Sequence, residues 1–233
     1  RSMRATREDF ASDLFQRRMA RFLALDRPGR RIAVQIGGRV HVLPKKSRKN
    51  GHFYAPLRIP VDELRDLGAE SNGAGTLLPL DIRGASTSAV TSGQAYLLGG
   101  TGLSIISDID DTLKHTQVAC KRTLLANTFL RPFQTIQGMA ALFRQWTASG
   151  AAFHYVSSSP WQLYEHLAEH LADEGFPAGS FHLRPFRLRD HLLRRLLMLR
   201  RSGKVGVIRT LLKAFPERRF LLVGDSGEHD PEI

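Results

Sequence analysis

The residues of this chain best suited to chemistry are carboxylates that directly follow apolar runs. In SIISDIDDTLKHT, residues 104–116, the run ends in Asp108, Asp110 and Asp111. Carboxylates packed so tightly repel one another, and burying them costs free energy unless a cation is present. The cluster therefore favours a metal site over an acidic turn, although Asp-x-Asp-x-Thr is short enough to recur by chance. A second acidic turn lies in FLLVGDSGEHDPE, residues 220–232, where an apolar strand empties into Gly224 and Asp225, with Asp230 five positions on. Gly224 and Gly227 permit a tight turn near a ligand. An ordinary turn rich in Asp, Ser and Gly would read the same way.

Two further clusters carry hydroxyls and a cation. FHYVSSSPW, residues 153–161, runs from a strand into Ser157, Ser158 and Ser159 ahead of a helix. Hydroxyls and backbone N–H groups at a helix start suit a phosphate. Capping of the helix by Ser158 or Ser159 uses the same geometry. RSGKVGVIRTLLKAF, residues 201–215, places Lys204 in the first turn of a helix whose buried stripe reads as Val205, Ile208, Leu212 and Phe215. The helix dipole disfavours a cation there, so Lys204 needs a negative partner or stays exposed.

The elements that must position these groups alternate. SIIS (104–107), FHYVS (153–157), FHL (181–183) and FLLVG (220–224) read as short strands, with helices near 138–149, 160–174, 190–200 and 204–215. Alternation of this kind predicts an α/β domain with a parallel sheet covered by helices on both faces, and ligands bind beyond the carboxyl ends of such strands. Upstream, residues 30–98 read as β-rich. RIAVQI and RVHVL around Gly37-Gly38 form a hairpin pattern, HFYAPLRI and TLLPLDI are further strand candidates, and residues 69–75 form a loop. A small antiparallel, sandwich-like domain is expected there. Residues 5–25 carry apolar side chains at helical spacing beside Arg17, Arg18 and Arg21. Such a basic amphipathic helix packs its apolar stripe on its own domain or lies on a membrane, and packing is the commoner outcome. The expected organisation is an N-terminal helix over 1–28, a β-rich domain over 29–98 and an α/β domain over 99–233.

Composition narrows the setting. The chain has 233 residues, 42% hydrophobic and 24% charged, which is ordinary for a globular protein and argues against disorder. Cys120 is the sole cysteine, so no internal disulfide forms, and a reducing, cytoplasmic location is expected. No transmembrane segment or secretory leader is expected. A net charge of +12 favours anionic partners, whether nucleic acid, acidic lipid or phosphorylated small molecules, without choosing among them.

Each cluster alone has a plain explanation. Their order of acids, hydroxyl, lysine and acids, three of the four at strand ends, resembles the haloacid dehalogenase superfamily over residues 104–233. SDIDDTLKHT, YVSSSPWQLY, the later lysine and FPERRFLLVGDSGEHDPEI resemble the catalytic domain of the actin patch protein type of phosphatidate phosphatases and their bacterial relatives. Two departures stand out. Ser158 occupies a position where many relatives carry Asn, and relatives continue past Ile233 with another helix and strand, so the sheet's C-terminal edge is expected to be incomplete.

The resemblance implies roles. Asp108 would attack phosphorus, and Asp110 would protonate the leaving alcohol and later deprotonate water, with a pKa raised by the crowded acids. Magnesium, Mg2+, would be held by Asp108, Asp225 and the main-chain carbonyl of Asp110. Ser157 and Lys204 would stabilise the transferring group, with Ser158 near the substrate. Asp230 would orient Lys204 or a metal-bound water, and Thr112 would hold the loop backbone beside the substrate. The gaps between motifs hold no obvious large cap domain, and residues 116–137 would form a small flap at best. An open site suits a bulky phosphorylated substrate, with an anionic lipid at a membrane surface as the partner and peripheral membrane contact. The basic stretch 184–201 either faces that substrate or packs as a helix. Alternatives are a phosphatase acting on nucleotide or polynucleotide ends, and a non-catalytic scaffold that keeps the fold.

Overall fold

A computed structural model describes residues 7–24, 27–49, 51–65, 74–84, 90–117, 121–185 and 201–225. The expected helix near 190–200, most of the basic stretch, Cys120 and Asp230 lie outside the described residues. Two compact units are present: Leu25–Gly99, and the chain up to Ala24 together with Gly100 onward.

The N-terminal helical pattern breaks in two. Helix α1 (Arg7–Ala11) ends where Ser12 turns extended, and α2 (Asp13–Leu23) begins. Ser12 Oγ accepts from Phe15 N and donates to Asp9 O, a local competition with the helix ladder that periodicity cannot reveal. Helix α2 packs on the α/β unit: Phe22 is buried in its core, Met19 lies against it, and the Phe22 and Phe129 rings meet edge-on at 5.3 Å.

The β-rich unit is one antiparallel sheet among the described residues, in the order β2-β1-β3-β4. Its strands are β1 (Ile32–Ile36), β2 (Arg39–Val42), β3 (Thr76–Gly84) and β4 (Val90–Leu97), with a short helix α3 (Val61–Arg65) between β2 and β3. Gly37 and Gly38 both take positive φ, as a two-residue hairpin turn requires. Pro79 is tolerated in β3 because it lies beyond the residues that pair with β1. HFYAPLRI differs from expectation. It joins no ladder, since Pro56 and the following Pro60 offer no N–H, yet Ala55, Leu57 and Ile59 still pack on the core.

The α/β unit holds the fully parallel sheet expected of the fold class, in the order β7-β6-β5-β8. Here β5 is Gly102–Asp108, β6 Ala152–Pro160, β7 Ser180–Arg184 and β8 Arg218–Val223. Among the described residues from Gly100 onward, its α-helices are α4 (Lys121–Phe129), α5 (Met139–Ala148), α6 (Tyr164–Asp173) and α7 (Arg201–Ala214). Alternate strand residues serve opposite faces. Ile105, Phe153, Tyr155 and Leu183 meet Phe143 of α5 and Leu167 and Leu171 of α6, while Ile106, Val156 and Phe220 meet Val207, Ile208 and Leu211 of α7. The chain leaves β5 toward β6 and β7, then returns to place β8 on the other side. The strand order therefore reverses at β5, and the crevice between the carboxyl ends of β5 and β8 is where such sheets bind ligands. Among the described residues no helix is long and apolar enough to cross a membrane.

Candidate active site

Asp108 is the last residue of β5 and is buried. Ser107 pairs with Val223 in the parallel ladder, so Asp108 and Asp225 stand one and two residues past that rung on neighbouring strands. Lys204 Nζ reaches Asp108 Oδ1 at 3.1 Å. That contact answers the question raised by a lysine in a first helical turn: its partner is a buried carboxylate. It also corrects the helix face. Lys204 and Leu211 are buried, Val207 and Ile208 are partly buried beside Leu211, and Leu212 is exposed, so Ile208 keeps its expected place and Leu212 does not.

After Asp108 the chain turns sharply. Asp111 sits at φ 58, in the left-handed region, and its N–H donates to Lys114 O at 2.8 Å. An aspartate tolerates that conformation when its side chain bonds locally, and Asp111 Oδ1 accepts from Thr116 N and Gln117 N, both at 2.7 Å. Asp111 thus ties the loop, a task assigned above to Thr112. Thr112 is buried, and its hydroxyl has no hydrogen-bond partner among the described residues.

The turn aims Asp110 into a cradle of donors. Lys114 Nζ lies 2.7 Å from Asp110 Oδ1, and Thr116 Oγ1 donates to the same oxygen at 2.8 Å. Ser157 Oγ and Ser159 Oγ donate to Oδ2 at 2.7 and 2.9 Å. Lys114 is 1% exposed, bonds Thr116 Oγ1 at 2.6 Å, and lies 4.8 Å from the centre of the Phe133 ring. Burial pushes the Asp110 carboxyl up, but the Lys114 ammonium and the hydrogen bonds from Lys114, Ser157 and Thr116 outweigh it. The group is held well below the usual carboxylate range. This reverses the expectation of a raised pKa: the neighbouring acids do not dominate, because a lysine four residues on is folded against Asp110.

The seryl run also differs from expectation. Strand β6 continues to Pro160, a 3-10 turn follows over Trp161–Leu163, and no side chain caps it. Ser157 Oγ instead accepts from Ser159 N at 2.9 Å. Ser159 joins Ser157 on Asp110. Lys114, Thr116 and Ser159 are thus the site residues missed by the sequence reading. Lys114 and Thr116 lay inside the quoted motif, and their signal was spacing: both follow the tight turn that folds the chain back over Asp110.

The donor set fits a hard divalent cation. Asp108, Asp225 and the Asp110 carbonyl offer oxygen alone, and magnesium binds through one or two carboxylates while keeping waters. Among the described residues no three His, Cys, Asp or Glu side chains cluster as a protein cage. Such a cage is not what two carboxylates and a carbonyl would form.

Residues 103–233 match the family described as "Phosphatidate phosphatase APP1, catalytic domain". The chain belongs to this family. An uncharacterized protein of Schizosaccharomyces pombe is 36% identical over 141 residues, covering 59% of this chain and 23% of that protein. Phosphatidate phosphatase APP1 of Saccharomyces cerevisiae is 35% identical over 135 residues, covering 56% of this chain and 22% of its own length. The aligned region therefore spans less than a quarter of these curated relatives. The APP1-type assignment agrees with the resemblance read from the motifs, and the parallel sheet is consistent with a haloacid dehalogenase-like fold.

Proposed function

We propose that this chain is a magnesium-dependent phosphomonoester hydrolase that works through Asp108, with a phosphatidate-like lipid as substrate and diacylglycerol and phosphate as products. The observation that carries the proposal is the Asp108–Lys204 contact of 3.1 Å at the strand-order reversal, beside the buried Asp110. Family membership and the printed name of the Saccharomyces relative support the choice of lipid.

Asp108 attacks phosphorus, the bond from phosphorus to the ester oxygen breaks, and an aspartyl-phosphate forms. Water then attacks phosphorus, the bond to Asp108 breaks, and the carboxylate is restored. Lys204 offsets charge on Asp108 and on the transferring group. Magnesium held by Asp108, Asp225 and the Asp110 carbonyl would supply further neutralisation of the phosphoryl oxygens. Asp110 is ionised before substrate arrives, which suits it to take the proton of the attacking water. To protonate the leaving alcohol it must first gain a proton, and an anionic phosphoryl group nearby raises its affinity for one. Ser157, whose hydroxyl lies 2.7 Å from Asp110 Oδ2, would donate to a phosphoryl oxygen of the substrate.

The test is a panel of p-nitrophenyl phosphate, phosphatidate in vesicles and a 5′-phosphorylated oligonucleotide, each with magnesium and with chelator. Vesicle-dependent, chelator-sensitive release of phosphate from phosphatidate is expected. Faster turnover of the oligonucleotide would shift the reading to polynucleotide ends, and no turnover on any substrate would favour a non-catalytic scaffold.

A further inference from the structure

The exposed cations of the β-rich unit are gathered rather than scattered. From Arg27 to Val61 the sequence holds no Asp or Glu. Arg27, Arg30 and Arg31 precede β1, while Lys45, Lys46, Arg48 and Lys49 follow β2. Ser47 binds the two runs together. Its N–H donates to Arg30 O and its carbonyl accepts from Gly29 N, both at 2.9 Å. Its hydroxyl accepts from Arg30 N at 2.9 Å and donates to Arg27 O at 2.7 Å. Ser47 is buried, and the cations of both runs are exposed around it. The turn beyond is closed by Arg48 N to His52 O at 2.7 Å. Holding like charges together raises the free energy of the folded state by self-repulsion. The acid Glu63 is buried and bonded to Arg39 and His41 on β2.

The apolar neighbours decide what such a surface fits. Val40 and Val42 lie two residues apart on the edge strand β2, on one side of it, and are 57% and 58% exposed. Tyr54, just past the basic turn, is 68% exposed. Cations alone suit a polynucleotide and an anionic bilayer equally. Exposed aliphatic groups have no use against phosphates and ribose, whereas at a bilayer they reach the acyl boundary while tyrosine sits among headgroups. We propose that this end of the β-rich unit is a docking surface for an anionic membrane. The proposal deepens the lipid-substrate reading and draws its choice of partner partly from it. Tethering at a membrane raises the effective concentration of a lipid substrate for the α/β unit on the same chain.

The experiment is co-sedimentation of the full chain with phosphatidylcholine vesicles, with and without phosphatidylserine, which is anionic but not a phosphomonoester. Binding is expected to require phosphatidylserine and to weaken with salt. The variant Lys45→Glu/Lys46→Glu/Arg48→Glu/Lys49→Glu should lose at least about a hundredfold in partition, since each basic residue near an anionic surface contributes roughly a fivefold effect. A control variant, Arg17→Glu/Arg209→Glu/Lys213→Glu/Arg219→Glu, changes net charge equally and should keep binding within a few-fold. Both should hydrolyse p-nitrophenyl phosphate at the parental rate, which certifies folding. Equal loss in both variants would overturn the proposal in favour of diffuse charge. Binding of a duplex oligonucleotide in preference to the vesicles, abolished by the first variant, would overturn it in favour of nucleic acid. Phosphatidylserine-dependent docking without phosphatidate turnover would leave the surface standing and remove the lipid-substrate reading.

Discussion

Lys114 Nζ lies 2.7 Å from Asp110 Oδ1 in the protein interior, and the other oxygen of that carboxylate takes the hydroxyls of Ser157 and Ser159. With Lys204 on Asp108, the site holds two buried carboxylates each matched to its own ammonium. Much of the charge that sequence reasoning assigned to a metal is therefore balanced by lysines. Asp225 follows the neighbouring strand β8, two residues past the rung that pairs Ser107 with Val223.

Removing Lys114 should harm both fold and turnover. Lys114→Met leaves a buried carboxylate without its cation, a loss of about 3 kcal/mol in stability. It also frees the Asp110 rotamer, and kcat on p-nitrophenyl phosphate is expected to fall about a hundredfold. Asp110→Asn combined with Lys114→Met should be less destabilised than the sum of the single variants, because neither partner is left charged. Denaturant titration of the four proteins checks this, and strict additivity would contradict a direct pair.

The seryl run offers a sharper comparison. Ser159→Ala removes one hydrogen bond to Asp110 Oδ2, whereas Ser159→Thr keeps a hydroxyl at that position. A bond to a charged group contributes about 2 kcal/mol, so kcat/KM should fall roughly tenfold or more for Ser159→Ala and less for Ser159→Thr. Steady-state kinetics of the two variants side by side decide it.

How much of this was legible in the sequence follows from what local pattern encodes. Strands β5 to β8 could be read because each is an apolar run ending in polar residues, and the parallel sheet followed from their alternation with helices. The pairing of Asp108 with Lys204 was legible because motif order carries long-range information that single clusters lack. Lys114 was missed because a lysine in a polar loop looks exposed until the left-handed turn at Asp111 folds it inward. The face of α7 was misread for a related reason: hydropathy treats Lys204 as a surface residue, although Asp108 makes its burial favourable. The failed strand at HFYAPLRI shows the opposite case, where composition suited a strand but Pro56 and Pro60 withheld ladder donors.

The sheet also predicts a response to acid. On its α7 side Arg218 Nε donates to Ser104 Oγ at 2.8 Å, Ser104 Oγ lies 3.2 Å from His154 Nε2, and Ser180 Oγ joins His154 Nδ1 to His182 Nε2 at 2.6 and 2.9 Å. Burial pushes both histidines down to about 4, helped for His154 by His182 and Arg218. The unfolded chain, with histidines near about 6.5, then binds protons first as pH falls. Stability is fully present above that value and is lost as pH drops from it toward about 4. The loss is on the order of 3 kcal/mol for His154. Urea unfolding at pH 7 and pH 5 should show it, and His154→Gln should flatten the dependence. An unchanged slope in that variant would show the loss arises elsewhere.

Arg18 anchors the N-terminal helix. Its Nη1 donates to Thr128 O and Arg131 O at 2.8 and 2.7 Å, and its guanidinium lies 3.9 Å from the centre of the Phe133 ring, which also faces Lys114. Arg18→Met should cost about 2 kcal/mol by leaving buried carbonyls without donors. Thermal unfolding measures that cost, and activity at low temperature should be affected less than for Lys114→Met.

The central claim is that Asp108 carries the phosphoryl group. Acid quench during turnover of p-nitrophenyl phosphate, borohydride reduction and peptide mass analysis test it directly. Conversion of residue 108 to homoserine, dependent on substrate and absent after chelation, is the expected result. Undiminished turnover with no conversion at that position would contradict it.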